Sequence, residues 1–215
     1  QGAVRIHPSL AFARSQIAPL LPDFVARYPD VELVFRVSPR FVALTNDMDV
    51  AIWFGALDES SLVARKIASS RRMLFATPEY LARRGTPRTP AELEGHELLS
   101  FSIPGRESWP FLQNGKIREM PARFRVSADL AELLYQLALA HLGIARIPEF
   151  MVVDEVRRGV LVPLLQEYAF PEPIYAIYRS RRQLSARIRS FINFLADAVK
   201  DADWNLDRAQ PAKLG

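Results

Sequence analysis

The chain has no cysteine among its 215 residues, which removes several function classes at once. Disulfide frameworks, thiolate metal sites and cysteine nucleophiles all require the missing thiol. The compartment stays open on this ground and is compatible with cytoplasm. The nine glycines are spread singly. Neither a G-x-G-x-x-G fingerprint nor a P-loop can be built from them, because close backbone approach to a phosphate needs clustered glycine. No G-x-S-x-G elbow and no H-E-x-x-H pair occur. The three histidines, His7, His96 and His141, fall in separate segments, and His96-Glu97 has no histidine four residues on. A zinc site is therefore not expected. Among 24 acidic residues no spacing marks out a catalytic dyad. The chain is read as a non-enzyme that needs no cofactor. It also lacks any apolar run long enough to span a bilayer and any signal-peptide pattern, so no membrane partner is expected and the location is taken as cytoplasmic.

What is present is ordinary for a globular protein: 49% hydrophobic and 24% charged residues, in a chain long enough for one domain or two small lobes. Lys and Arg number 28 against 24 acids, a net charge of +4. The surplus is small and dispersed. Its densest run, the arginines at 179, 181, 182, 187 and 189, reads as a solvated helix face or a subunit contact rather than a phosphate track.

The central stretch is Asp49–Ile67, DVAIWFGALDESSLVARKI. Val50–Phe54 is apolar without alternation, as in a strand buried on both faces of a parallel sheet. Gly55 ends it and Asp58–Ser61 is loop chemistry. A buried strand ending in such a loop is where an open α/β sheet places a ligand crevice. Before it, Ala3–His7 reads as a strand. A helix begins at Ser9 or a neighbour, with Ile17, Leu20, Leu21, Phe24, Val25 and Tyr28 at three-and-four spacing, and Pro19 and Pro22 should kink or divide it. Val31–Val37 alternates like an edge strand, and Phe41–Thr45 is a short helix. The order is β-α-β-α-β.

Further on, Leu62–Ile67 and Arg72–Thr77 are extended pieces, and the polar Ser69–Arg71 between them is taken as the crossing into a second lobe. Glu79–Arg84 is helical, and Glu97–Phe101 and Ala122–Val126 are strands. Turn residues Pro104, Gly105, Asn114 and Gly115 surround Trp109–Phe111. Asp129 and Glu132 form a D-x-x-E capping pattern for a helix carrying Leu130, Leu133, Leu134, Leu137 and Ala138, with Gly143 as its stop. Ile144–Ile147 is a strand, Pro148–Gly159 a helix, and Val160–Leu165 and Ile174–Tyr178 strands. Leu184–Val199 is the closing helix. The last strand and helix come too late for the second lobe and are returned to the first.

The wording of Asp49–Ile67 resembles the effector-binding domain of LysR-type transcriptional regulators. RMLFATPEYL (Arg72–Leu81), LGIARIPEF (Leu142–Phe150), GVLVPLL (Gly159–Leu165) and RQLSARIRSFINFL (Arg182–Leu195) follow in that family's order. The resemblance runs from about Val4 to Val199. It implies an α/β fold of the type 2 periplasmic-binding-protein kind, with two Rossmann-like lobes joined by two crossover strands around a cleft. Lobe I would hold residues 1–69 and 172–203, lobe II 70–171, and 204–215 would be a loose tail.

The resemblance further implies a small-molecule effector bound between the lobes, allosteric control of transcription, and a homodimer (or a tetramer in the full-length protein). DNA would be bound only through an N-terminal winged helix-turn-helix outside this chain, so the chain is expected to be a fragment. Ligand contacts would come from Ser9, Leu10, Ala11 and Phe12, from Trp53, and from Phe101, Ala128, Asp129 and Leu130. Arg40, past the Val31–Val37 strand, would supply charge. The chain departs from the family where many members have Ser or Thr at Ala11, Arg at Trp53, Asn-Gly at Leu130-Ala131 and Gly at His141. Three of these four changes remove polar or positive groups and imply a flat or largely apolar effector rather than a small dicarboxylate. A transport solute-binding protein and an enzyme on the same scaffold are the alternatives.

Overall fold

A computed structural model describes residues 2–37, 47–57, 63–101, 107–179, 184–200, 204 and 206. The chain forms two compact units. Unit 1 takes Gln1–Ser70 and Glu172–Asp203, and unit 2 takes Arg71–Pro171 and Trp204–Gly215. The expected helix at Phe41–Thr45 and the Asp58–Ser61 loop lie outside the described residues.

Unit 1 opens with β1 (Gly2–His7), whose Val4 and Ile6 are fully buried. The helical segment behind it is divided where its prolines predict. α1 (Leu10–Phe12) passes into a π turn at Ala13–Ile17 and a 3-10 turn at Ala18–Leu20, and α2 (Leu21–Arg27) follows. Pro19 and Pro22 have no N–H to donate, so the hydrogen-bond ladder changes pitch around them. Ile17 and Phe24 face the core, whereas Val25 is 52% exposed. β2 (Val31–Phe35) pairs parallel to β1, Val4 opposite Leu33, and lies at the sheet edge. β3 (Val50–Phe54) pairs parallel to the other side of β1, and its Val50, Ala51 and Ile52 are buried as an unalternating strand requires.

β4 (Val63–Ala76) corrects the expected break at Ser69–Arg71: it is one unbroken strand running out of unit 1 into unit 2. Of the polar residues there, Arg71 has a tertiary partner. Ser70 is buried, and the Arg71 N–H donates to Glu149 Oε1 at 2.7 Å while its Nε donates to Oε2 at 3.0 Å.

Unit 2 continues with α3 (Pro78–Arg84), capped by Thr77, whose Oγ1 accepts the Tyr80 N–H at 3.3 Å. β5 (Leu98–Phe101) leads to a hairpin of β6 (Ser108–Gln113) and β7 (Lys116–Pro121). Its two-residue turn is Asn114 at φ 49° and Gly115 at φ 73°, the left-handed pair that matches strand twist. The turn residues were legible in the sequence, but the paired strands on either side were not. β8 (Phe124–Ala128) starts two residues later than expected, since β7 runs to Pro121. α4 (Ala131–Leu139), β9 (Ile144–Pro148), α5 (Val153–Arg157) and β10 (Val162–Leu164) complete the unit. The expected helix over Pro148–Gly159 is a 3-10 turn at Glu149–Met151 and then α5, divided at Val152, whose φ of −130° is not helical. β9 lies antiparallel to β4 and parallel to β5, and β8 forms the edge.

Both expected ends of α4 need correction. Its N-cap is Leu130, with no side-chain cap bond, rather than Asp129. Leu133, placed on the apolar face by its spacing, is 45% exposed. At the other end the left-handed residue is His141, at φ 59°, not Gly143. His141 Nδ1 lies 2.8 Å from Thr77 Oγ1, a bond that helps hold a non-glycine there. Gly143 is needed for a different reason. A Cβ on it would sit 2.2 Å from the Glu97 carbonyl oxygen, which accepts the Ile144 N–H.

The chain returns to unit 1 with β11 (Pro171–Tyr178), antiparallel to β3, and α6 (Ala186–Lys200). Phe191 of α6 meets Phe24 of α2 edge-on at 5.5 Å. The expected loose tail is corrected at two positions. Trp204 and Leu206 are 7% and 2% exposed, and the Trp204 ring lies 5.7 Å from Phe150 in unit 2. Burying an indole outweighs the lack of periodicity in the segment.

Candidate functional site

In unit 1 the register of β1 on β3 puts Ile6 opposite Val50 and His7 opposite Ala51. Ser9 and Trp53 each lie two residues further on, at neighbouring C-terminal strand ends. That is where parallel α/β sheets form crevices. Ser9 caps α1, its Oγ accepting the Phe12 N–H at 3.3 Å. Leu10 is half-buried. Ala11 and Phe12 are buried, Phe12 completely, with its ring edge-on to Phe54 at 5.6 Å. Phe12 is thus a core residue, and the Ala11 carbonyl already accepts the Ser15 hydroxyl at 2.7 Å.

Trp53 is half-buried near the end of β3. Its Nε1–H donates to the Ala56 carbonyl at 2.8 Å, which ties the indole to the segment after Gly55. With that N–H engaged, the ring has no further hydrogen to donate. Arg40 lies outside the described residues. His7, weighed from sequence only as a zinc ligand, ends β1 two residues before Ser9 and is 6% exposed. Burial lowers its pKa below the ordinary 6.5, with the Asp47 carboxylate opposing, so it stays neutral at pH 7. The available signal was a histidine closing the V-R-I-H strand before Pro8.

In unit 2, β5 and β8 bring Phe101 opposite Ala128, and Asp129 and Leu130 follow directly. All four are half-buried. The Arg72 guanidinium sits over the Phe101 ring at 5.9 Å. The Leu130 carbonyl accepts the Leu133 N–H at 3.1 Å to begin α4. Asp129 and Glu132 put carboxylates at this helix start, where they favour the dipole and oppose a further anion.

The other histidines have structural partners. His96 Nδ1 lies 3.1 Å from the Tyr80 hydroxyl, and His141 Nε2 is 3.3 Å from Glu79 Oε2. Among the described residues no group of three His, Asp or Glu side chains could hold a metal ion, and no helix is long and apolar enough to cross a membrane.

A sequence profile of the LysR substrate binding domain matches residues 1–200. The transcriptional regulator CrgA of Neisseria meningitidis serogroup C is 35% identical over 204 residues, covering 93% of this chain and 68% of CrgA. The Escherichia coli regulator DmlR is 34% identical, covering 91% of this chain and 64% of DmlR. This chain thus spans about two thirds of the relatives' length. The regulatory domain of CrgA superposes with a TM-score of 0.83 at 33% identity, covering 92% of this chain and 98% of that one. The full-length virulence activator AphB of Vibrio cholerae gives 0.79 at 26% identity, over 92% of this chain and 68% of AphB. The fold is the type 2 periplasmic-binding-protein kind that these regulatory domains have. The chain belongs to the LysR-type transcriptional regulators, of which it is the substrate-binding, effector-sensing domain.

Proposed function

We propose that this domain binds a small molecule at the strand-end residues described above and thereby controls transcription by the full-length regulator, itself performing no catalysis. The observation that carries this reading is the placing of Ser9 and Trp53 at adjacent strand ends in a chain matched to the family over residues 1–200. The effector acts by binding one arrangement of the regulator better than another, since a ligand of equal affinity for both would shift nothing. DNA is bound by the rest of the protein, in the cytoplasm. The isolated domain then binds duplex DNA without sequence preference, in the non-specific range of about 10⁻⁴ to 10⁻⁶ M.

The effector is flat or largely apolar rather than a small dicarboxylate. Ala11 has no hydroxyl, and Trp53 stands where many family members carry a guanidinium. Each missing charge-assisted hydrogen bond costs a diacid about 1.5–3 kcal/mol. Ser9 and Arg40 supply polar anchoring. A calorimetric screen of neutral aromatics paired with small diacids, repeated on Trp53→Ala, tests this. Aromatics that bind and are weakened by the substitution support it, and tight diacid binding untouched by Trp53→Ala refutes it.

The domain forms a homodimer through its exposed apolar helix residues. Val25 on α2 is 52% exposed and Leu133 on α4 45%, and each of these helices buries its other apolar side in its own unit. Light scattering is expected to report a dimer at micromolar concentration, and Val25→Asp with Leu133→Asp a monomer.

A further inference from the structure

The face of the unit 1 sheet that carries Trp53 opens at a single row. Trp53 of β3 stands directly opposite Tyr175 of β11, and Ala51 opposite Ile177, so all four project from the same face. On the other side of β3, His7 of β1 stands opposite Ala51. The row of His7, Ala51 and Ile177 is closed, at 6%, 0% and 2% exposed. One step further along the face, Ser9, Trp53 and Tyr175 are all only half-buried. β1, β3 and β11 are neighbours in the sheet, so these three positions stand about 4.8 Å apart from strand to strand, with the indole in the middle.

Packing fixes Tyr175 in this row. Ile174 and Ala176 on either side of it are fully buried on the opposite face, and a slip of one residue would exchange them with the tyrosine. The Gly55 N–H donates to the Pro173 carbonyl at 2.9 Å, which carries the β3–β11 pairing past the row. The hydrogen bonds leave both ends of the row open. The Trp53 N–H is used by the Ala56 carbonyl. Ser9 Oγ accepts the Phe12 N–H and keeps its own hydrogen to give. Among the described residues none hydrogen-bonds the Tyr175 hydroxyl. Buried tyrosines of unit 2 differ: the Tyr80 hydroxyl accepts the Glu97 N–H, and that of Tyr135 donates to Glu155 Oε1 at 2.9 Å.

Building on the effector reading given above, we infer that Tyr175 is a specificity-determining residue of that site. Its hydroxyl donates to an uncharged oxygen acceptor on a flat effector that contacts Trp53. The row of Ser9, Trp53 and Tyr175 holds no Lys, Arg, Asp or Glu, so it selects by hydrogen-bonding pattern and shape. A compound of the same outline without an acceptor leaves the hydroxyl unpaired and binds less well.

The test is equilibrium dialysis of the 215-residue chain with coumarin, a flat neutral lactone, and with naphthalene, which has the same two-ring outline and no oxygen. Tyr175→Phe is expected to weaken coumarin about threefold to tenfold, as the loss of one neutral hydrogen bond does, and to leave naphthalene unchanged. Trp53→Ala weakens both compounds. If Trp53→Ala weakens coumarin and Tyr175→Phe does not, the effector reading stands and the assignment of Tyr175 falls. An equal loss of both compounds on Tyr175→Phe makes the tyrosine a packing residue and also overturns the assignment. No saturable coumarin binding up to about 10 mM, or binding indifferent to both substitutions, overturns the effector reading and the assignment with it.

Discussion

Each unit has its own hydrophobic core, but different contacts tie the elements within each one together. In unit 1, aromatic packing joins α2 to α6: Phe24 lies 5.5 Å from Phe191, 5.2 Å from Phe194 and 4.9 Å from Tyr28. Unit 2 ties its elements with sheltered polar bonds. Glu149 takes both the backbone and the side chain of Arg71, Ser100 takes the Trp109 indole, and the Tyr80 hydroxyl takes the Glu97 N–H while contacting His96. The difference teaches where each unit tolerates change. Aromatic packing loses stability in proportion to the volume removed, whereas a buried polar bond fails when one partner is left without the other.

The largest expected effect breaks the aromatic side. Phe24→Ala should cost about 3–5 kcal/mol, because Phe24 is fully buried and three rings lose their neighbour. Urea unfolding followed by circular dichroism measures this. A loss below about 1 kcal/mol would mean that the cluster contributes little to unit 1.

Glu149→Ala comes next. Removing one partner of a buried ion pair costs about 3–5 kcal/mol in full burial, and the Arg71 side chain is 18% exposed, so about 2–3 kcal/mol is expected. The contrast sharpens with Arg71→Met and Glu149→Leu together. That apolar pair should recover most of the loss if the penalty comes from an abandoned charge rather than from lost packing. No recovery in the double variant would place the cost in packing or in the Arg71 N–H, which loses its Glu149 acceptor in both variants.

The smallest effect is a pH dependence that touches both units. Burial holds His7 in unit 1 and His96 in unit 2 below the ordinary value of 6.5. The Asp47 carboxylate opposes the shift at His7; at His96, Arg84 reinforces it and Glu92 opposes it. Each folded pKa being depressed, the unfolded chain takes up protons first as pH falls. Stability from these groups is complete above 6.5 and is lost from there down through the depressed folded values. Urea midpoints should therefore fall as pH drops below 6.5, and His7→Asn and His96→Asn should each flatten part of that slope. At His96 the Tyr80 hydroxyl accepts the Glu97 N–H and is free to donate to Nδ1, an arrangement that protonation of Nδ1 removes. A midpoint that stays level through this range in the unsubstituted chain would refute the assignment.

Much of the fold was legible because it rests on local pattern. The unalternating run Val50–Phe54 implied a strand covered on both faces, and Leu184–Val199 implied the closing helix, observed as α6 from Ala186 onward. Pro19 and Pro22 announced the divided first helix. The family was legible from words in order, GVLVPLL and LGIARIPEF among them, since such segments are short and continuous in the chain.

The candidate site was legible in outline only. A sequence can say that Ser9 and Trp53 end their elements, and the register of β1 on β3 makes those ends neighbours. That the Trp53 N–H is used by Ala56, that Phe12 is core, and that His7 is buried are outcomes of packing. Ser69–Arg71 looked like a break because it is polar, yet Glu149, 78 residues away, supplies the bonds that keep the strand whole. Gly143 looked like a helix stop, yet the helix turns at His141 with help from Thr77, and the glycine is there to let a backbone pass Glu97. Periodicity and composition determine which residues seek burial and where hydrogen-bond ladders must change. Which distant partner satisfies a buried polar group, and which backbones must nearly touch, was decided by the tertiary structure alone, because those energies exist only once remote segments meet.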